Sequence, residues 1–291
     1  MGTSTAYGGP SGGTPLVPSW LGGEAEGSTE PTAAPTAAPA GGAPDGAPPS
    51  PPDRPPIPPN ADPHRFTAAR TNFTRFAGSG GRDRASLGRA ISNYVTTSSG
   101  GSRQAAQRMG ASRAAGARLV NFLADAQARG INEALRSIDL ESLAGRPAAE
   151  IFIGLADYIC PGAGTVDDGI AREAYVETVI DLAEAGLVDL NTFTPQQMET
   201  VFELFATHAI EARICNDIGT KAVMMPADAS EAIRVERQLR DFVRGAVSDA
   251  LASARQSSPS MTQQQVQTFV DQVYELAFSF LHALGEGEAN S

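Results

Sequence analysis

The chain has 291 residues with 22 basic and 33 acidic side chains, a net charge of −11, 30 glycines, 21 prolines and two cysteines. Two cysteines in this length exclude a disulfide framework, and no apolar run approaches the ~20 residues that cross a bilayer. The charge is segmented, at −5 over residues 1–63, +9 over 64–120 and −15 over 121–291, so the basic stretch either folds onto the acidic body or meets an anionic partner.

Residues 1–63 hold 16 of the 21 prolines and 11 of the 30 glycines, too little apolar surface to offset the entropy of ordering. A long disordered Pro/Gly-rich tail is expected there. It has two parts. In residues 1–22, MGTSTAYGGPSGGTPLVPSWLG, the anchors Tyr7, Leu16, Val17, Trp20 and Leu21 punctuate the background, which suits a flexible recognition peptide. Residues 23–63 are a repetitive Pro/Ala/Gly spacer, extended and semi-rigid. The start lacks a basic region followed by an apolar one, so it does not read as a secretory leader, and a cytoplasmic protein is expected. Ala6 stands where an N-myristoylation pattern wants Ser or Thr.

Residues 64–111 read as an Arg-rich, partly helical connector, with short helices around 86–97 and 103–110 between Gly/Ser breaks. A helical domain is expected over 112–285, and a disordered C-terminus over 286–291. Helices are predicted over 112–129 and over 148–159, with Pro147 suited to the first turn and Pro161 barring continuation. Three starts carry capping signals: Thr165 with Asp168, Thr194-Pro195 with Gln197, and Asp228 with Glu231. The last helix opens at Thr262 and carries Val266, Phe269, Val270, Val273, Ala277, Phe280, Leu281 and Leu284 at the 3.6-residue period. No strand-like alternation competes. The expected fold is all-α, an irregular multi-helix bundle behind the tail.

Catalytic patterns are sparse. His64, His208 and His282 are far apart and no ligand spacing links them to Cys160 or Cys215, so no metal or other cofactor is expected. Both cysteines fall in apolar helical patterns and read as buried free thiols. Asp167-Asp168 fits two acids in a first helical turn better than a ligand pair. Gly162-Ala163-Gly164-Thr165 lacks the lysine and preceding strand of a phosphate loop. Arg65, Arg70, Arg75, Arg82, Arg84 and Arg89, interleaved with Phe66, Phe73 and Phe76, are the candidate nucleic-acid contacts, guanidinium for phosphate and ring for base.

The segments MGTSTAYGGPSGGTPLVPSWL and RPAAEIFIGLADYICPGAGTVDDGIAREAYVETVIDLAEAG resemble the QatB family, accessory proteins of the Qat bacterial anti-phage defence system. The resemblance covers the first 21 residues and about 112–285. It implies a defence role beside a P-loop ATPase (QatA), a 7-cyano-7-deazaguanine synthase-like protein (QatC) and a TatD-like nuclease (QatD); with catalytic patterns sparse in the body, a non-enzymatic component is expected. It supplies no catalytic residues. Such synthases activate a carboxylate with ATP and accept a nitrogen nucleophile. The expectation that follows is an adaptor or substrate whose N-terminal peptide enters the QatC cleft. Gly2, exposed by removal of Met1, would be the acceptor. Thr3, Ser4, Tyr7, Gly8, Gly9 and Pro10 would line the channel, where glycines allow close backbone approach. Leu16, Val17, Trp20 and Leu21 would anchor outside it. The alternative is an Arg-rich nucleic-acid-binding subunit that targets the TatD-like nuclease.

Overall fold

Thr165 and Thr194 show why helices begin where they do. Thr165 Oγ1 accepts from the Asp168 backbone N–H at 3.2 Å, and the Asp168 carboxylate accepts from the Thr165 N–H at 3.0 Å. Thr194 and Gln197 make the same reciprocal pair, at 3.3 and 2.8 Å. Asp228 accepts from the Glu231 N–H at 3.0 Å, and Asp83 does so for Ser86 at 2.9 Å. Each cap satisfies donors that a helix start leaves unpaired.

These starts belong to a computed structural model that describes residues 62, 64–162, 164–186, 194–219, 225–257 and 263–291. All lie in the unit Pro55–Ser291. The recognition peptide of residues 1–22, and the spacer except for Asp62, lie outside the described residues, as does Thr262 at the expected start of the last helix.

In chain order the elements are α1 (Thr67–Gly78), α2 (Arg84–Asn93), which runs into a π-turn at Tyr94–Ser98, α3 (Ser102–Gln107), α4 (Gly110–Arg129), α5 (Ile131–Arg136), a 3-10 turn at Glu141–Leu143, α6 (Ala148–Gly154), α7 (Ala156–Ile159), α8 (Val166–Glu184), α9 (Pro195–Ile218), α10 (Ala229–Ser257) and α11 (Gln263–Ala289). No strand occurs among the described residues. Gly130, at φ +87°, turns the chain from α4 into α5, a conformation costly for a residue with a Cβ. The helix expected over 148–159 is two helices broken at Leu155.

One apolar core runs through the body, from Phe66 in the approach to α1 to Leu281 in α11. Phe76, Phe152, Phe205 and Phe278 are fully buried, each worth roughly 1.5–3 kcal/mol of transfer free energy. Helices α2, α10 and α1 are neighbours of α11, α11 and α2 respectively, and α8 packs along α9.

Two expected boundaries change. Residues 64–111 are no connector: Phe66, Phe73, Phe76, Leu87, Ile91, Tyr94 and Val95 are core residues. The line drawn at 112 falls inside α4. The C-terminal line at 286 falls inside α11, whose last turn is clamped by α2. Arg84 pairs with Glu288 at 2.7 Å, and Arg89 donates to the Ala289 carbonyl at 3.2 Å.

α2 and α11 cross at Gly88 and Gly285. A Cβ on Gly88 would stand 2.5 Å from the Gly285 carbonyl oxygen, and one on Gly285 would stand 2.7 Å from that of Gly88. Backbone meets backbone there, which only glycine permits on both sides.

Candidate functional site

The ten arginines of residues 64–120 are largely bound to the acidic body. Arg70 donates to the carbonyls of Ile218 (2.6 Å) and Asp217 (3.1 Å) at the end of α9, where a cation suits the negative end of the helix dipole. Arg82 pairs with Glu231 at 3.2 Å, and Arg84 and Arg89 hold the end of α11. The Arg65 guanidinium lies over the Phe66 ring, 4.8 Å from its centroid. Arg75 is exposed.

Phe66, Phe73 and Phe76, expected as base-stacking rings, are core residues instead. Phe66 stacks on Tyr94 and Phe73 meets Phe76 edge-on. The reason is helical spacing, since positions 66, 69, 73, 76 and 77 form one apolar face, and that face is buried. The structure thus does not gather the six arginines and three rings into one surface.

Asp217, near the end of α9, is the hub of a buried ionic network. One carboxylate oxygen receives the Tyr94 hydroxyl (3.0 Å), Arg108 (3.1 Å) and Arg213 (3.3 Å). Burial and the adjacent Asp217 charge push the Tyr94 phenol far above its usual range. Arg213 continues to Asp167 at 3.3 Å, and Asp167 accepts from the Ala111 backbone N–H at 2.7 Å.

The Asp167-Asp168 pair is therefore divided in its work. Asp168 caps its own helix, while Asp167 caps α4 from across an interhelix gap. Arg113 pairs with Asp271 of α11 at 2.8 Å. Among the polar atoms buried here without a partner are Arg108 Nη1, Arg113 Nε, Ser112 Oγ and Tyr274 Oη. Sequence offers no local signal for this network, because its partners stand 46 to 158 residues apart in most of these contacts.

Along α9, His208 Nε2 meets Asp181 of α8 at 2.8 Å, and Glu211 accepts from Arg240 of α10 at 2.8 Å. Burial pushes the Cys160 thiol up to about 11 and the Cys215 thiol up to about 12, the opposite of an activated nucleophile. Cys160 is buried and Cys215 half-buried, and both are free. No group of three or more His, Cys, Asp or Glu that could hold a metal ion occurs among the described residues. In the turn before α8 the Thr165 hydroxyl, the Thr165 N–H and the Asp168 N–H are spent on the helix's own capping box.

Clefts among the described residues include two with mainly apolar linings. An apolar groove of about 540 Å³ lies between α4, α9, α10 and α11, floored by Leu123, Phe202, Leu251 and Phe269. A smaller cleft of about 230 Å³ lies against Glu211 and Cys215. Gly2, Thr3, Ser4, Tyr7, Gly8, Gly9, Pro10, Leu16, Val17, Trp20 and Leu21 lie outside the described residues.

Among the described residues, no helix is long and apolar enough to cross a membrane. What these observations define is an all-helical protein whose buried ionic groups tie helix to helix. The family model for the Qat anti-phage system associated protein QatB matches residues 100–281, and the chain belongs to that family. No curated protein and no solved structure matches it. Family membership makes the chain a component of an anti-phage defence system, with other Qat components as its partners.

Proposed function

We propose that this protein is a non-enzymatic adaptor or substrate within the Qat system, and that its N-terminal peptide is bound by the 7-cyano-7-deazaguanine synthase-like partner, QatC. The QatA ATPase and the TatD-like nuclease QatD complete the set of partners. Family membership carries the reading. The anchors Leu16, Val17, Trp20 and Leu21 ahead of a Pro-rich spacer support the choice of segment, since a plain linker has no use for them.

The chemistry of the N-terminus supports Gly2 as the acceptor. An α-amine titrates near 7.7–8.0 and is partly neutral at physiological pH, whereas a lysine near 10.4 is almost wholly protonated. Lys221 is the chain's single lysine. A neutral Gly2 amine attacks a carboxylate that the partner has activated with ATP. The C–N bond forms, the activating group departs with the bonding electron pair, and the amine loses a proton. The alternative nucleic-acid role gains no support, because Arg70, Arg82, Arg84 and Arg89 are already bonded within the chain.

Intact mass of the protein, expressed with and without the other three components, tests the covalent step. A mass increase confined to a peptide containing Gly2 is expected. An unchanged N-terminus under conditions that support defence overturns conjugation.

A further inference from the structure

The smaller cleft is framed by α1, the C-terminal part of α9 and the N-terminal part of α10. Phe73, Ile218, Val235 and Leu239 form its apolar walls, and its volume is about 230 Å³, room for a small organic molecule or one long side chain. Glu211 lines it and is only 9% exposed. Arg240 Nε donates to one Glu211 oxygen at 2.8 Å. The other oxygen accepts no hydrogen bond from a described residue, and it is not among the atoms sealed off without a partner inside the protein. It therefore opens toward the cleft.

A buried carboxylate that is half paired is costly, and it needs compensation from a cation or from donors. The compensation present is incomplete. Burial holds the Glu211 carboxyl above the usual carboxylate range although Arg240 and His208 both favour its ionised form. The surrounding field is negative as well. Burial first, then the charges of Glu211, Glu236 and Glu173, push up the Cys215 thiol on the same wall, against the opposing effect of Arg240. Glu236 stands exposed among the lining residues.

We propose that this cleft binds an organic monocation, an ammonium or guanidinium on an apolar stem, with the open Glu211 oxygen receiving the charged head and Phe73, Val235 and Leu239 the stem. Glu236 adds attraction for the approaching cation. The assignment is independent of the N-terminal reading above. The cation reaches the cleft as a free amine or as an arginine or lysine side chain of a partner.

Titration calorimetry on the full chain tests it with phenethylamine, its neutral isostere 2-phenylethanol and the anion 3-phenylpropionate. The amine is expected to bind at least about tenfold more tightly than the alcohol, and the anion not at all, as follows when a charge-assisted bond in a low-dielectric site replaces a neutral one. Glu211→Gln should abolish that preference. Glu236→Lys, an exposed change that leaves the fold intact, should weaken the amine alone. A capped arginine tripeptide separates the sources, since it binds only if the mouth admits a side chain attached to a backbone.

Lys221 falls between the lining residues Gly219 and Met225, outside the described residues. Lys221→Met should leave amine affinity unchanged. Tighter binding in that variant would show that the chain's own lysine competes for the cleft, and would overturn an external ligand. Equal affinity for amine and alcohol, or no binding of the amine at millimolar concentration, would also overturn the assignment.

Discussion

Adding one methyl group at the α2–α11 crossing should destabilise the fold even though it improves helix propensity. Gly285→Ala places a Cβ 2.7 Å from the Gly88 carbonyl oxygen, 3.1 Å from the Ser92 backbone nitrogen and 3.4 Å from its Cβ. The first two are backbone atoms, so no side-chain rotation relieves the clash and the helices must separate. Overpacking of this kind costs about 1–3 kcal/mol, against a gain of about 0.8–1 kcal/mol from replacing glycine in a helix. Separation also strains the Arg84–Glu288 pair and the Arg89 bond to Ala289, which hold the next turn. The net expectation is a loss of about 1–2 kcal/mol, or a melting temperature lower by about 2–8 °C for a body of this size. Gly245→Ala in α10 is the control, because its Cβ would meet nothing within 4 Å. It should stabilise by up to about 1 kcal/mol. Urea unfolding followed by far-UV circular dichroism measures both variants. If Gly285→Ala equals or exceeds Gly245→Ala in stability, the close crossing is refuted.

Asp217→Ala strands the Tyr94 hydroxyl, takes the carboxylate from the partly buried Arg108 and leaves Arg213 with Asp167 alone, and breaking a buried charge pair costs about 3–5 kcal/mol. A thermal melt should show a midpoint about 6–20 °C lower; a shift under about 2 °C would mean the hub is not holding α9. The thiols should resist alkylation in the native protein. With Cys160 near 11 and Cys215 near 12, no more than about one in a thousand is thiolate at pH 8. Iodoacetamide labelling followed by mass spectrometry should therefore be slow until denaturant is added. Glu211 should make stability fall as pH rises. Its folded carboxyl is held above the unfolded value of about 4.3, so the folded state keeps the proton longer, and its contribution is complete below that value and is lost as pH passes the folded one. Glu211→Gln should remove this decline from a stability–pH profile, and an unchanged slope between pH 4 and 7 would contradict it.

The capped helices were legible because their signals are local. Thr165, Thr194 and Asp228 each make the bond expected three residues on. The last helix likewise keeps Val266, Phe269, Val270, Val273, Ala277 and Leu281 buried at the helical period. Residues 64–111 misled for a physical reason. Ala69, Ala77, Ser86, Gly88 and Ala90 look like dilution of an apolar pattern, yet they are buried positions where small size lets helices approach closely. The disordered C-terminus expected over 286–291 is instead the end of α11, held beyond the Gly285 crossing by Arg84 and Arg89. The Asp217 network and the Glu211 cleft were invisible to spacing, since each joins residues that the fold alone brings together. Asp167 stands out in the sequence as one of two acids in a first helical turn, but nothing local shows that it caps α4 rather than its own helix.

The N-terminal reading is tested most directly by affinity capture with tagged QatC, using the full chain and a form lacking residues 2–21. The body carries its own core from Phe66 onward, so the deletion should leave the melting temperature unchanged. The full chain should be retained and the deleted form should not. Equal retention of both forms would contradict it.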